Sequence, residues 1–391
     1  MKRVKITDTL SKKQLLFCPG PVNVAANVKR TIIEYEIGHR EKEFSELLER
    51  IQSNLFALYR IKHPEKYHAV VITGSGTAAN ETVISSVVGN KYILILANGE
   101  FGERLFAISS LHNRHTKILK WPWAEKMGLN KIENYLKRHR VDIVAMVHHE
   151  TSTGMLNPIA EVGALTRKYQ KLFIVDTVSS AAAHDIRMEN WNIGFATSSA
   201  SKAIASLPGA AYVVGKKEEF EKLQNIPPRT MYLNLYKFYE YSTKYHQTPN
   251  TPAVSTFFAL DQALQNVLKV GLTTYQKHLR ERAQYLREGM KKMRLEFLIA
   301  EGDMSSVLTT IKVPFGIDLE KLRLRLHERN IIIYNGKGPL LGKVFQVANI
   351  GDLDAETIDY FLKELGHILI SLKPKSIKRI DRYETVKSAY A

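Results

Sequence analysis

The sequence predicts an α/β protein: a mostly parallel sheet covered by helices on both faces, followed by a smaller C-terminal α/β domain. Three observations carry this. Short β-branched runs alternate with polar, helix-compatible stretches between residues 67 and 215, the rhythm of a largely parallel sheet. Several runs are apolar at nearly every position, among them VVIT, YILILA, VDIVAMV and LFIVD, as strands buried on both faces read. From about residue 303 the rhythm changes to a compact second set of strands and helices.

Taken in order, the expected strands of the first region are His68–Thr73, Tyr92–Ala97, Val141–His148, Lys171–Val175, Phe195–Ser199 and Ala210–Val214. A long helical connection is expected over about 255–300. Within it Leu279, Ala283, Leu286, Met290 and Met293 recur at three- and four-residue steps, and the basic residues of 277–294 read as a solvated face. Val307–Val313 then reads as a strand, Leu319–Arg329 as a helix, and Ile331–Tyr334 and Val344–Ala348 as two further strands. Asp354 suits the N-cap of a last helix whose buried stripe is Ile358, Phe361, Leu365 and Ile368. The expected division is an N-terminal arm (1–30), a large domain (31–255), a connecting helix with a small domain (256–372), and a basic, disordered tail (373–391).

Composition narrows the function classes. The 391 residues carry a net charge of +17, spread over the N-terminus, the 277–294 helix and the tail. No zinc-finger or RRM pattern accompanies it, so the expectation is no nucleic acid and an affinity for small anions. No apolar run is long enough to span a membrane. The basic N-terminus lacks the apolar core of a secretory leader. One cysteine, Cys18, closes no intrachain disulfide and builds no Cys-rich metal site. The cytoplasm is the expected compartment.

Ligands of an open parallel sheet bind at the carboxyl ends of its strands, and the polar clusters of this sequence stand there. Gly74-Ser75-Gly76-Thr77 follows the first strand and precedes a helix. It suits a phosphate held by backbone N–H groups, or simply a tight turn with an N-cap. Asp176 closes the strand KLFIVD. A carboxylate there has a pyridine nitrogen to hold, or is an N-cap or ion-pair partner. Lys202 lies in the small, hydroxyl-rich segment Ser198-Ser199-Ala200-Ser201-Lys202-Ala203. Desolvation makes such an amine nucleophilic, whereas the alternative is an ordinary loop lysine.

Together, a phosphate cradle, an Asp and a Lys on successive strand ends resemble the fold-type-I pyridoxal-phosphate enzymes. Within them the chain is similar to the class V aminotransferases, most of all the 2-aminoethylphosphonate–pyruvate transaminase branch, with alanine/serine–glyoxylate and phosphoserine aminotransferases as further relatives. The resemblance runs from LLFCPGPVN at 15–23 to VANIGDL at 347–353. It implies a mostly parallel seven-stranded sheet, pyridoxal 5′-phosphate as cofactor, and a homodimer with composite sites. It makes Lys202 the Schiff-base lysine, with Ser201 beside it, and Asp176 the partner of the ring nitrogen. Ser75, Gly76 and Thr77 take the phosphate, joined by Asn250 and Thr251 of Asn250-Thr251-Pro252 across the dimer. Phe101, in Asn98-Gly99-Glu100-Phe101-Gly102-Glu103-Arg104, stacks on the ring, and Val178 packs on the opposite face. Thr151, in His148-His149-Glu150-Thr151-Ser152-Thr153-Gly154, reaches the phenolic oxygen. The two histidines have no third ligand at metal-binding spacing.

His39 and Arg40, in Gly38-His39-Arg40-Glu41-Lys42-Glu43-Phe44, resemble the family's substrate loop, where an arginine forks onto a phosphonate, phosphate or carboxylate. One position departs from the pattern. The relatives carry F-R-I-G-N-I-G where this chain has Phe345-Gln346-Val347-Ala348-Asn349-Ile350-Gly351, so the carboxylate-clamping arginine is replaced by Gln346. Either another cation, Arg40 or Lys337, takes over, or the substrate carries no α-carboxylate there. The expected reaction is transamination from a small amine or amino acid such as 2-aminoethylphosphonate to a 2-oxo acid such as pyruvate. The alternatives are a different amine, another chemistry on the same cofactor, or alanine/serine–glyoxylate transamination. Cysteine desulfuration is rejected, because Cys18 stands in the N-terminal arm rather than on a catalytic loop.

Overall fold

The computed structural model describes residues 14–373. The expected disordered tail from Pro374 onward lies outside the described residues.

The N-terminal arm forms β1 (Leu15–Leu16) and leads into α1 (Ala26–Glu34) and α2 (Lys42–Leu58). The large layer follows as β2 (Tyr67–Gly74), α3 (Gly76–Val87), β3 (Ile93–Ala97), α4 (Glu100–His112), β4 (Thr116–Lys120), α5 (Leu129–Arg138) and β5 (Ile143–Val147). A short hairpin of β6 (His149–Glu150) and β7 (Met155–Leu156) precedes α6 (Ile159–Lys168), β8 (Leu172–Asp176), β9 (Ile193–Ser199) and β10 (Gly209–Lys216). Helices α7 (Lys217–Lys222), α8 (Leu235–Tyr245), α9 (Val254–Val270) and α10 (Leu272–Lys292) lead to the C-terminal segment. This contains β11 (Leu308–Lys312), α11 (Leu319–His327), β12 (Ile331–Ile332), β13 (Tyr334–Asn335), β14 (Val344–Ala348) and α12 (Ala355–Leu372).

The large sheet has seven strands in the order β2-β10-β9-β8-β5-β3-β4. Neighbours are parallel from β9 through β4, and β10 runs antiparallel to both β9 and β2. The continuous apolar runs have the physical cause inferred for them. Along β3, Leu94 and Leu96 enter one hydrophobic core while Ile93 and Ile95 enter another on the opposite face. Each such side chain contributes about 1.5–3 kcal/mol of burial. The one strand of this sheet not expected from the sequence is β4, whose sequence TKILK buries only Leu119. It lies at the sheet edge with lysines exposed, as edge strands do.

The small sheet, β11-β14-β13, is antiparallel. Its core takes Leu286 and Met290 from α10 and Ile358, Phe361, Leu365 and Ile368 from α12. Asp354 caps α12 by accepting from the Thr357 N–H at 2.8 Å. The strand expected over Ile331–Tyr334 is split into β12 and β13, and β12 pairs with β1, so the N-terminal segment joins the C-terminal one. Arg287 corrects the reading of 277–294 as a solvated basic face. It stands four residues after Ala283 and three before Met290, on the apolar stripe itself, and is 7% exposed. Its guanidinium donates to Thr309 Oγ1 and to the Ser305 and Leu308 carbonyls, which makes its burial tolerable. No helix among the described residues is long and apolar enough to cross a membrane.

Candidate active site

The parallel strands point their carboxyl ends at one cavity of about 270 Å³. Ser75, Gly76, Thr77, Phe101, Thr151, Asp176, Val178, Ser201 and Lys202, named from the sequence, all line it. They come from the ends of five strands, β2, β3, β6, β8 and β9, so the fold gathers residues that are far apart in the chain.

Lys202 lies in the loop joining β9 to β10. Its Nζ donates to the Pro19 carbonyl at 3.0 Å, and no carboxylate among the described residues forms an ion pair with it. Burial holds the ammonium below the ordinary lysine range; nearby Lys337 and Arg104 act in the same direction, against Cys18 and Asp176. Gly20 is what admits the amine. Its φ is +137°, and a Cβ there would sit 2.4 Å from Lys202 Nζ.

Asp176 is 5% exposed at the end of β8. Its Oδ1 accepts from the Val178 N–H at 2.8 Å and its Oδ2 from Asn80 Nδ2 at 2.6 Å. Burial pushes the carboxyl up, and these two donors pull against that. Both are neutral, and no lysine or arginine among the described residues pairs with it. An isolated buried carboxylate of this kind is costly without a cationic partner. Asn80 is the residue the motif reading missed. It sits one turn into α3 and accepts in turn from Thr197 Oγ1.

Two helix N-termini face the cavity, and they differ. At α4 the Phe101 and Gly102 N–H groups donate to the buried carboxylate of Glu150 at 3.1 and 3.0 Å, so that positive end is already neutralised. At α3 the N-cap Ser75 makes no side-chain cap, leaving that end to an outside anion. Gly76 keeps it open: a Cβ there would lie 2.5 Å from Val178 Cγ2. His149, which also lines the cavity, bonds the Ser179 carbonyl through Nδ1 at 3.1 Å while its buried Nε2 has no protein partner. Burial lowers its pKa to about 4, so the ring is neutral at pH 7. An unpaired carboxylate, an unpaired amine, an open helix N-terminus and a flat apolar wall are the donor set a phosphorylated pyridine aldehyde requires. The residues fit pyridoxal phosphate.

The remaining named residues stand outside the cavity. Gln346 is 2% exposed in β14 and spends its Nε2 on the Thr151 carbonyl at 2.5 Å and Thr310 Oγ1 at 3.4 Å. Arg40 is exposed, donating to Gln247 Oε1 at 2.9 Å and the Thr248 carbonyl at 2.8 Å. His39 is half-buried beside it. Thr248 Oγ1 reaches the Asn250 carbonyl at 2.9 Å, so the His39–Arg40 loop and the Asn250–Thr251 segment are clasped together at the surface. Lys337, offered as a substitute cation, has its Nζ 5.1 Å from the centroid of the Phe101 ring.

Comparison with known proteins agrees with this chemistry. The chain is 31% identical to an uncharacterized aminotransferase of Methanocaldococcus jannaschii over 90% of this chain and 94% of that one. It is 32% identical to a 2-aminoethylphosphonate–pyruvate transaminase of Bacillus cytotoxicus, over 87% of this chain and 93% of the relative. The crystal structure of an alanine–glyoxylate aminotransferase from Nostoc sp. superposes with a TM-score of 0.88 at 29% identity, covering 94% of this chain and 98% of that one. Residues 22–348 match the family model of class-V aminotransferases. With the cofactor cavity at the strand ends and the family match spanning both the seven-stranded and the three-stranded sheet, this chain belongs to the class-V aminotransferases and is a pyridoxal-phosphate-dependent aminotransferase.

Proposed function

We propose that this enzyme moves the amino group of a small amine or amino acid bearing an anionic group, such as 2-aminoethylphosphonate, to a 2-oxo acid such as pyruvate. The observation that carries the reading is the pairing of Lys202 and Asp176: a buried amine and a buried carboxylate, neither ion-paired, in one cavity beside the open N-terminus of α3. Pyridoxal phosphate, when bound, supplies an electron sink for the bonds at the amine-bearing carbon.

The chain's own residues do the rest. Lys202 Nζ, kept below the usual ammonium range by burial, is the amine that would hold the cofactor. As a free amine it would carry the proton to and from the amine-bearing carbon of the substrate. Asp176 would accept the hydrogen of the ring nitrogen, with Asn80 and the Val178 N–H holding the carboxylate in place. Ser75, Gly76 and Thr77 bind the phosphate. Phe101, Val178, Thr151 and Ser201 line the same cavity and would hold the ring.

The protein is a homodimer in this reading, with Asn250 and Thr251 of the partner subunit completing the phosphate site and His39 and Arg40 of the partner subunit serving the substrate. The surface clasp of these two loops supports it, as does the exposed end of α1, where Ile33 is 82% exposed just before the Arg40 loop. The compartment is the cytoplasm. A second reading, a different amine substrate, is favoured by Gln346, whose amide is committed to Thr151 and carries no charge. A half-reaction screen tests the substrate class: candidate amines are added singly to the loaded enzyme while the visible cofactor band is followed. Conversion by 2-aminoethylphosphonate well ahead of alanine is expected. Equal or faster conversion by alanine overturns the choice of substrate.

A further inference from the structure

The position that usually grips the substrate's acid holds an uncharged glutamine, yet two cations meet at the wall of the cavity. Arg104, one turn into α4, lines the cavity with its guanidinium carbon 4.6 Å from the Phe101 ring centroid. The Lys337 Nζ lies over the same ring. Both reach one carboxylate: Glu100 Oε1 is 2.6 Å from the arginine and 3.7 Å from the lysine. Two positive charges therefore share a single negative one beside the cavity, all three partly exposed.

Lys337 is delivered from the C-terminal segment. It stands between Gly336 and Gly338 in the loop from β13 to β14. Gly338 has φ +47°, and a Cβ there would lie 2.9 Å from the Trp123 ring. Trp123 is fixed in turn by its Nε1–H to Glu103 at 2.8 Å, and Glu103 by Lys120 at 2.7 Å. The lysine is thus seated at the face of the aromatic that walls the cofactor cavity.

We propose that Arg104 and Lys337 form the clamp for the substrate's acidic group, with Glu100 as the internal anion that the substrate displaces. The proposal rests on the transaminase reading above and names its specificity device. The guanidinium offers a bidentate fork to a phosphonate or carboxylate, and the ammonium adds a point charge. Because Glu100 already occupies both cations, a singly charged carboxylate gains little by exchanging with it. A phosphonate nearing two negative charges gains more, so the arrangement selects for charge as well as for shape.

The test uses the pyridoxal-phosphate-loaded enzyme and two readouts. Calorimetric titration with methylphosphonate, which has the acid but no amine, reports binding without turnover. The half-reaction rate with 2-aminoethylphosphonate, divided by that with propylamine, reports the acid's contribution to reactivity. In Arg104→Gln and in Lys337→Gln, methylphosphonate affinity and the rate ratio should each fall roughly 10- to 100-fold, with Arg104→Lys recovering part of the loss. Glu100→Gln should tighten methylphosphonate binding and narrow the preference for phosphonate over carboxylate amines. If both glutamine variants leave the ratio unchanged, or slow both amines equally, the clamp is overturned while the transaminase reading stands. If no amine changes the cofactor band in the wild-type enzyme, the transaminase reading fails and the clamp with it.

Discussion

Replacing Asn80 by alanine removes one of the two hydrogen-bond donors that hold the Asp176 carboxylate. The bond is short, 2.6 Å from Nδ2 to Oδ2, and the carboxylate is 5% exposed, so water does not substitute for the lost amide. A hydrogen bond to a charged group contributes about 1.5–3 kcal/mol, which converts to roughly 10- to 150-fold in kcat/KM. The direction with pH follows from the same bond. Asn80 favours the ionised carboxylate, so without it the Asp176 pKa rises further above the ordinary range, and the acid limb of the kcat/KM profile moves to higher pH. The variant also strands the Thr197 hydroxyl, which donates to Asn80 Oδ1, at a cost of about 1–3 kcal/mol in stability. Thermal melting reads that loss separately, because a purely structural defect lowers the melting temperature without moving the pH limb. The assay is kcat/KM against pH for Asn80→Ala and wild type, both saturated with cofactor. A variant within about twofold of wild type, with an unmoved acid limb, would refute the claim that Asn80 positions Asp176.

The remaining expectations concern Gln346 and His68. Gln346→Arg puts a guanidinium into a position that is 2% exposed and faces the Thr151 carbonyl and Thr310 hydroxyl; stability should fall by about 2–4 kcal/mol and the native kcat/KM with it. A more than tenfold gain with alanine would instead reveal an intact α-carboxylate site. His68, buried in β2 against Ser242 and the Tyr239 ring, has its pKa lowered to about 4 by burial, with Lys217 and His246 adding to it. The unfolded chain takes up this proton near 6.5 and the folded chain only near 4, so about 3 kcal/mol of stability present above pH 6.5 is lost as pH falls between the two. His68→Phe should flatten the melting temperature between pH 6.5 and 4, although His148 and His149 keep their own shares of the slope. A profile as steep as that of wild type would contradict the assignment.

What could be read from the chain follows from how local each signal is. Strand β3 was legible because both its faces are buried, leaving five consecutive apolar residues. Strand β4 was not, since an edge strand with two exposed lysines has the composition of a loop. Asp176 and Lys202 were legible as odd residue types at strand ends. Asn80 was hidden because nothing about an asparagine one turn into a helix says that a carboxylate from another strand will meet it. Arg104 stood in a quoted motif without a task. Its proposed task depends on Lys337, which the chain supplies more than two hundred residues later and which only tertiary packing brings to Phe101. Arg287 misled because periodicity records which residues share a face but not whether a polar one there finds acceptors.

The most direct test of the account is chemical. The purified enzyme, loaded with pyridoxal phosphate, is reduced with borohydride, digested and mapped by mass spectrometry, with Lys202→Ala treated in parallel. The expected result is a cofactor adduct on the peptide containing Lys202 and none in the variant. An adduct on another lysine, or no adduct in wild-type protein that carries the visible cofactor band, would contradict the site.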